Sequence, residues 1–135
     1  MNNNDQTFSK EDIIEYRIQK SRDLLDEIRF LIDNGFANTA ISRMYYACYH
    51  AISALLFNYN IDTKTHRGLR LQFNNHFVKT GKINIEKAKV FAMIYERRQE
   101  SDYDDFMEFT LEQAKEFYPA VIDLISTVHS LIIKD

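Results

Sequence analysis

The residues best suited to chemistry in this sequence are two adjacent arginines, Arg97 and Arg98. Carboxylates and the phenol of Tyr103 follow them within about two helical turns. Guanidinium groups bind phosphate and carboxylate oxygens through charge-assisted hydrogen bonds, so the spacing predicts an anion-binding cluster beside a helix end. The alternative is a solvated run of ion pairs, because carboxylates surround the arginines. These acidic residues are Glu96, Glu100, Asp102, Asp104 and Asp105.

A second set of polar residues lies in an otherwise apolar segment. Arg43, Tyr46 and His50 are spaced at i, i+3 and i+7 and therefore share one face of a helix. They could line a binding pocket, or Tyr46 and His50 could be half-buried and hydrogen-bonded within the protein. His66 and Arg67 lie near the start of a later helix, where a phosphate can bind, although a capping or surface role is the commoner outcome.

Other chemistries find little support in the sequence. The three glycines are isolated, which argues against a phosphate-binding loop or a dinucleotide fold. One cysteine and four dispersed histidines match no usual metal-ligand spacing, so we expect neither a metal nor a cofactor. Cys48 lies on an apolar helix face, which favours a buried, inert thiol over a nucleophile.

The composition is that of one small helical domain. A chain of 135 residues with 45% hydrophobic residues fits a single domain, 1–135, and one proline with three glycines favours helices over strands. The net charge of −3 argues against a protein that coats nucleic acid. A single cysteine and no apolar run long enough to cross a bilayer predict a cytoplasmic protein without membrane contact.

Capping motifs and hydrophobic periodicity predict about five helices. Ser9 and Asp12 have the spacing of a capping box, and Asn34 with Gly35 ends the first helix in a left-handed cap. A second helix, over residues 37 to 59, carries a wide apolar stripe with small residues that allow a neighbour to approach closely. We therefore expect the second helix to be central.

The third and fourth helices are predicted to bring the polar residues into place. The third, over residues 65 to 79, is short and basic, and Gly81 ends it. Asn84 caps the fourth, which delivers Arg97 and Arg98 in its C-terminal half. We expect the fourth helix to place five residues in the core: Ala88, Phe91, Ala92, Ile94 and Tyr95.

An acidic connection, roughly from residue 102 to 109, is expected to lead to the last helix. Thr110 and Gln113 form a second capping-box pattern there, and apolar residues follow at steps of three and four. Pro119 lies inside this segment and predicts a kink or a later helix start.

Three parts of the sequence resemble the HEPN domain proteins of prokaryotes. They are AISRMYYACYHA at 40–51, THRGL at 65–69 with Phe73 and HFVKTGKI at 76–83, and Arg97-Arg98 followed by Ser101-Asp102-Tyr103. The resemblance implies an all-α, up-and-down bundle of about five helices. It also implies a homodimer and a pairing with a small nucleotidyltransferase in modules of the toxin-antitoxin type.

Many members of this family are metal-independent ribonucleases with an arginine followed, after about four to six residues, by a histidine that can move a proton at neutral pH. Here Asp102 occupies that place, and residues 101 to 108 contain no histidine. The sequence is similar to a HEPN subgroup in which Asp-Tyr follows the arginine, and Asp102 could orient Arg97 or Arg98. In paired members the partner attaches AMP to a tyrosine shortly after the histidine, and Tyr103 has a similar place.

Three hypotheses follow. The first is a HEPN component of a toxin-antitoxin-like or defence-related pair with a dimeric cleft that binds RNA or a nucleotide. Four residues line this cleft, namely the candidate catalytic residues Arg97, Arg98 and Asp102 together with Tyr103. The second is a non-catalytic module that binds a nucleotidyltransferase. The third is a ribonuclease with a displaced general base, drawn from His50 or His66. Tyr103 is the candidate modification site, and the candidate RNA- or nucleotide-binding residues are Arg43, Tyr46, His50, His66 and Arg67.

Overall fold

A computed structural model of the protein describes residues 7–103 and 108–132, without the side chains of residues 100–103. Within these ranges the chain forms five α-helices, one π-helical turn and no strand. The all-α prediction is therefore confirmed. The helices are α1 (Lys10–Asp33), α2 (Ala37–Asn58), α3 (His66–Phe73), α4 (Ile85–Tyr103) and α5 (Leu111–Ser130), and the π-helical turn spans Asn74–Val78.

Helix α1 begins and ends as its sequence predicts. The Ser9 hydroxyl accepts a hydrogen bond from the backbone N–H of Asp12, and the Asp12 carboxylate accepts one from the N–H of Ser9. This reciprocal pair satisfies N–H groups that have no partner within the helix. Gly35 follows the last turn with a φ of 83°, a conformation that a residue without a Cβ adopts at little cost.

Helices α1 and α2 form an antiparallel hairpin. The Lys10 side chain at the start of α1 donates to the Asn60 side chain just beyond the end of α2, over 3.0 Å. In the middle, the buried Ser21 hydroxyl donates to the backbone oxygen of Ala47, 2.9 Å away. Small side chains let the two helices approach this closely, as expected for α2. Helix α2 packs against all the other α-helices, which confirms its central position.

The third helical segment differs from its prediction. It is α-helical only from His66 to Phe73 and then widens into the π-helical turn, in which the N–H of Lys79 donates to the oxygen of Asn74. The turn keeps Phe73 and Phe77 in the core. Gly81 then ends the segment with a φ of 78°, as the sequence indicates.

Helix α4 runs to Tyr103. Residues 102 and 103 therefore belong to the helix and not to the connection, whose start was predicted about half a helical turn too early. The predicted cap is present, because the Asn84 side chain accepts from the N–H of Glu86 at 2.7 Å. Phe91 and Ile94 are buried, but Ala92 is exposed, contrary to its prediction. Ala92 lies about 100° around the helix from Phe91 and so falls outside the face that meets α2.

Helix α5 runs parallel to α2. Phe109 donates its N–H to the Asn38 side chain at one end, and the Tyr59 hydroxyl donates to the oxygen of Leu131 at the other. The predicted capping box of Thr110 is present. The helix continues through Pro119 without a break. Its buried face joins α1, α2 and α4 in one hydrophobic core.

Among the residues of 7–103 and 108–132, no helix is both long and apolar enough to cross a membrane.

Candidate functional site

Tyr45 lies at the point where α2, α3 and α4 meet. Its side chain is fully buried, and its ring stacks on Phe91 of α4 with centroids 5.6 Å apart. Its hydroxyl lies 2.6 Å from Nδ1 of His66, the first residue of α3. One buried phenol thus contacts both neighbouring helices.

Helical spacing explains which residues surround Tyr45. Side chains three or four positions apart lie on the same face of a helix. Three such pairs, one from each helix, converge to form what we call the tyrosine–arginine cluster. With Tyr46 it consists of Tyr45 and Tyr49 of α2, His66 and Arg70 of α3, and Tyr95 and Arg98 of α4.

Arg98 joins α4 to α2. Its Nη2 atom donates a hydrogen bond to the Tyr46 hydroxyl over 2.9 Å. Its guanidinium carbon lies 5.0 Å from the ring centre of Tyr45 and 4.9 Å from that of Tyr46. Cation–π contacts of this kind hold a guanidinium group in place without neutralising its charge. Arg98 is therefore a positioned cation, half-buried at the edge of the bundle.

Arg70 supplies a second positioned cation. Its guanidinium carbon lies 3.7 Å above the ring of Tyr95, whose hydroxyl accepts a hydrogen bond from the Gln99 amide. The Nη1 atom of Arg70 is buried and has no hydrogen-bond partner within the part of the chain that the structure describes. A buried donor without an acceptor is costly, and a bound anion would relieve that cost.

The N-cap of α3 fixes the backbone that carries His66 and Arg70. The Thr65 hydroxyl accepts a hydrogen bond from the N–H of Gly68 over 2.9 Å. A Cβ atom at Gly68 would lie 2.9 Å from this hydroxyl oxygen, so the glycine leaves room for the cap. The first turn of α3 is consequently held where it can place the imidazole beside Tyr45.

Burial and charge set the protonation states in the cluster. Loss of hydration raises the pKa of the Tyr45 hydroxyl to about 12, although Arg70 and Arg98 act in the opposite direction. Loss of hydration, followed by the charges of Arg98 and Arg70, lowers the pKa of His66. At neutral pH the phenol keeps its proton and the imidazole is uncharged. The positive charge of the cluster therefore comes from its two arginines.

Arg43, Tyr46 and His50 line a separate groove of about 540 Å³ between α1 and α2. Arg43 pairs there with Glu27 over 2.9 Å, and Lys20 and Asp23 contribute further charges of both signs. Loss of hydration, then the charges of Lys20 and Arg17, lower the pKa of His50. Tyr46 belongs to both the groove and the tyrosine–arginine cluster, so the two sites adjoin.

Two further candidates are chain neighbours of cluster residues. Arg67 is exposed next to His66, and Arg97 is half-buried next to Arg98. The backbone of α4 includes Asp102 and Tyr103, but their side chains lie outside the described residues, as do Asp104 and Asp105. The structure thus brings Arg98, Tyr46 and His66 together and keeps Arg43 and His50 apart from them in the groove.

Four members of this cluster were not predicted from the sequence as site residues: Tyr45, Tyr49, Arg70 and Tyr95. The spacing of four between His66 and Arg70 was a usable signal, because it places both on one face of α3. Tyr45 gave no such signal, since an aromatic residue within an apolar stripe reads as core.

Cys48 is fully buried, and burial raises the pKa of its thiol to about 12, in keeping with the predicted inert cysteine. Among the described residues, no group of three or more histidine, cysteine or acidic side chains has a geometry that could hold a metal ion.

The chain belongs to the HEPN domain family, whose model matches residues 14–131. A UPF0332 protein of Thermotoga maritima is 35% identical over 123 residues, which make up 91% of this chain and 93% of that protein. "Putative toxin MJ0142" of Methanocaldococcus jannaschii is 31% identical over 102 residues, or 76% of this chain and 69% of that protein. The family resemblance noted in the sequence is confirmed, and two of the relatives carry the name "Putative toxin".

Proposed function

We propose that this HEPN protein is a component of a toxin-antitoxin-like or defence-related module and binds RNA or a nucleotide through its tyrosine–arginine cluster. The observation that carries the proposal is the position of Arg98, which is held by Tyr46 and faces the same site as Arg70 and His66. Two fixed guanidinium groups beside an exposed imidazole and half-buried phenol groups suit a phosphate and an attached base.

Residues next to the tyrosine–arginine cluster contribute further contacts to the proposed ligand. Arg67 and Arg97 add charge at the rim, and Asp102 orients an arginine from the last turn of α4. The adjoining groove, with Arg43 and His50, accepts a further part of a longer ligand. Its mixed charges make it a weaker phosphate site than the cluster, because Glu27 and Asp23 repel an anion.

Binding fits the cluster better than cleavage. The usual histidine after the arginines is replaced by Asp102, and a carboxyl group, unlike an imidazole, does not ordinarily exchange a proton near neutral pH. A ribonuclease in which His66 acts as a displaced base is the second candidate, because His66 does lie beside Arg98. The two candidates differ in whether RNA is cut.

In the proposed module the protein forms a homodimer and pairs with a nucleotidyltransferase. Two relatives from Methanocaldococcus jannaschii, named "Putative toxin MJ0142" and "Putative toxin MJ0605", support the module. In the paired form, the Tyr103 phenol oxygen attacks the α-phosphorus of ATP, and pyrophosphate leaves as AMP is attached. Light scattering tests the dimer, and mass spectrometry after incubation with the product of a neighbouring nucleotidyltransferase gene tests the modification.

RNA binding can be measured by the fluorescence anisotropy of a labelled single-stranded RNA of about 15 nucleotides and mixed sequence. We expect Arg98→Gln to weaken binding about ten-fold, because it removes one fixed charge-assisted donor. Arg22→Gln, which changes an exposed arginine of α1, is the matched control and leaves binding unchanged. Equal affinities for wild type and Arg98→Gln would refute the cluster as the binding site. A gel of the same RNA after incubation shows whether it is cut.

A further inference from the structure

We propose that His66 binds a phosphate oxygen of the ligand as a neutral hydrogen-bond donor through Nε2–H, and that Tyr45 fixes this tautomer. The inference rests on the proposed RNA or nucleotide binding and assigns a specific role to a residue within that site. The contact that supports it is the distance of 2.6 Å between the Tyr45 hydroxyl and Nδ1 of His66.

The direction of that hydrogen bond follows from the surroundings of Tyr45. The side chain is fully buried, so water cannot accept its proton. The neighbouring arginines can only donate. Among the residues that the structure describes, Nδ1 of His66 is the acceptor within reach. Since a buried hydroxyl needs a partner, its O–H donates to Nδ1.

The tautomer of His66 follows from the direction of that bond. A neutral imidazole carries one proton, and a ring nitrogen that accepts a hydrogen bond cannot carry it. With Nδ1 accepting from Tyr45, the proton is on Nε2. The His66 side chain is exposed, and among the side chains that the structure describes none forms a hydrogen bond with Nε2. The Nε2–H group is therefore available to a ligand.

The charges around His66 favour this neutral donor. Arg70 and Arg98 both disfavour a third positive charge at the imidazole. A protonated ring would also carry a hydrogen on Nδ1, and Tyr45 would lose its acceptor. The site thus combines two permanent cations with one neutral donor, and the buried Nη1 of Arg70 adds a donor that lacks an acceptor within the described protein.

This arrangement distinguishes binding from proton transfer. A base that takes the proton of a ribose 2′-hydroxyl needs a lone pair on the nitrogen that faces the RNA. The tautomer fixed by Tyr45 presents N–H at that position instead. His66 accordingly selects for oxygen acceptors such as phosphate, and it does not start strand cleavage.

The test compares substitutions at His66 in the full chain. The side-chain amide nitrogen of glutamine can occupy a position close to Nε2 and donates a hydrogen bond, but it cannot take up a proton near neutral pH. With the labelled RNA described above, we expect His66→Ala to weaken binding about ten-fold and His66→Gln to recover most of that loss. His76→Ala, on the exposed face of the π-helical turn, is the matched control.

Two outcomes in the binding and cleavage assays would overturn the inference. One is an equal loss of affinity in His66→Gln and His66→Ala, which would mean that donation from this position is not what the ligand needs. The other is cleavage of RNA by wild type that disappears in His66→Gln, which would make His66 a proton-transfer residue. If Arg98→Gln binds as well as wild type, the proposed function itself fails.

A second measurement reads the tautomer without any ligand. Two-bond proton–nitrogen correlations in a nitrogen-15-labelled sample distinguish the two ring nitrogens, and the His66→Gln spectrum assigns the signals among four histidines. We expect the Nε2–H form at neutral pH and a mixture of tautomers in Tyr45→Phe. An Nδ1–H form in the wild-type protein would overturn the inference even if RNA binds.

Discussion

The guanidinium group of Arg98 donates a hydrogen bond to the hydroxyl of Tyr46 over 2.9 Å, although the two residues are 52 positions apart in the chain. This bond connects α4 to α2 at the boundary between the tyrosine–arginine cluster and the groove. It fixes the direction of a cation that the sequence identifies but cannot orient. We therefore expect loss of this hydrogen bond to lower both the free energy of unfolding and the affinity for RNA.

Tyr46→Phe removes the acceptor of this hydrogen bond and keeps the ring. We expect a loss of about 1 kcal/mol in the free energy of unfolding and a several-fold weaker affinity for RNA, because Arg98 becomes less well fixed. Urea unfolding and fluorescence anisotropy measure the two effects. Tyr118→Phe is the matched control, since its hydroxyl donates to the oxygen of Leu25 away from the cluster. An equal effect of both variants on RNA affinity would contradict the prediction.

Thr65→Ala removes the N-cap of α3, and Thr110→Ala removes the corresponding cap of α5. Each substitution is expected to cost about 1 kcal/mol of stability, as measured by urea unfolding. Only Thr65 precedes His66, so only Thr65→Ala should weaken RNA binding, by roughly three-fold, through disorder in the first turn of α3. Similar RNA affinities of the two variants would show that the Thr65 cap does not position the binding site.

His50 predicts how stability depends on pH. Its pKa is lowered in the folded protein by loss of hydration and by Lys20 and Arg17, so the unfolded chain binds a proton more readily. The free energy of unfolding should be highest above about pH 6.5 and fall as the pH decreases from there toward the lowered pKa of the folded state. His50→Gln should reduce this fall.

The measurement for His50 is urea unfolding at about pH 7.5 and about pH 5.5, where the aspartates and glutamates contribute less than at lower pH. Asp23 and Glu27 also line the groove, so both pH values are compared within each variant. The control is His76→Gln, which changes an exposed histidine outside the groove. The prediction fails if His50→Gln and wild type lose the same stability between the two pH values.

Arg43→Gln tests the ion pair at the rim of the groove. The Arg43 and Glu27 side chains are 42% and 46% exposed, so water screens their attraction. We expect the substitution to change stability by less than about 1 kcal/mol and to weaken RNA binding by less than Arg98→Gln does. Thermal unfolding and anisotropy at two salt concentrations provide the measurements. A larger loss of affinity in Arg43→Gln than in Arg98→Gln would show that the main phosphate contact lies in the groove.

Local signals predicted much of the fold. Ser9 and Thr110 cap their helices through side-chain atoms that act within one turn, so sequence spacing alone was sufficient. The π-helical turn after Phe73 was not predictable, because it depends on how Phe73 and Phe77 pack in the core against residues that are distant in the chain. Ala92 was assigned to the wrong face since alanine suits a buried or an exposed position equally well.

The site was predictable only in part for a related reason. Arg98 and His66 were identified individually by residue type, but their proximity depends on how α3 and α4 pack against α2. Tyr45 connects the two helices, because its ring stacks on Phe91 of α4 and its hydroxyl contacts His66 of α3. Nothing in the local sequence distinguishes Tyr45 from a core residue. The roles of Asp102 and Tyr103 stay predictions.

The sealed position of Cys48 has a practical consequence for spectroscopy. It is the single cysteine of the chain, and its fully buried thiol has a pKa of about 12, so a maleimide dye will react with it slowly. Lys64→Cys, at an exposed position two residues before His66, would then carry the dye without prior removal of the native thiol. The natural background is already suited to site-specific labelling.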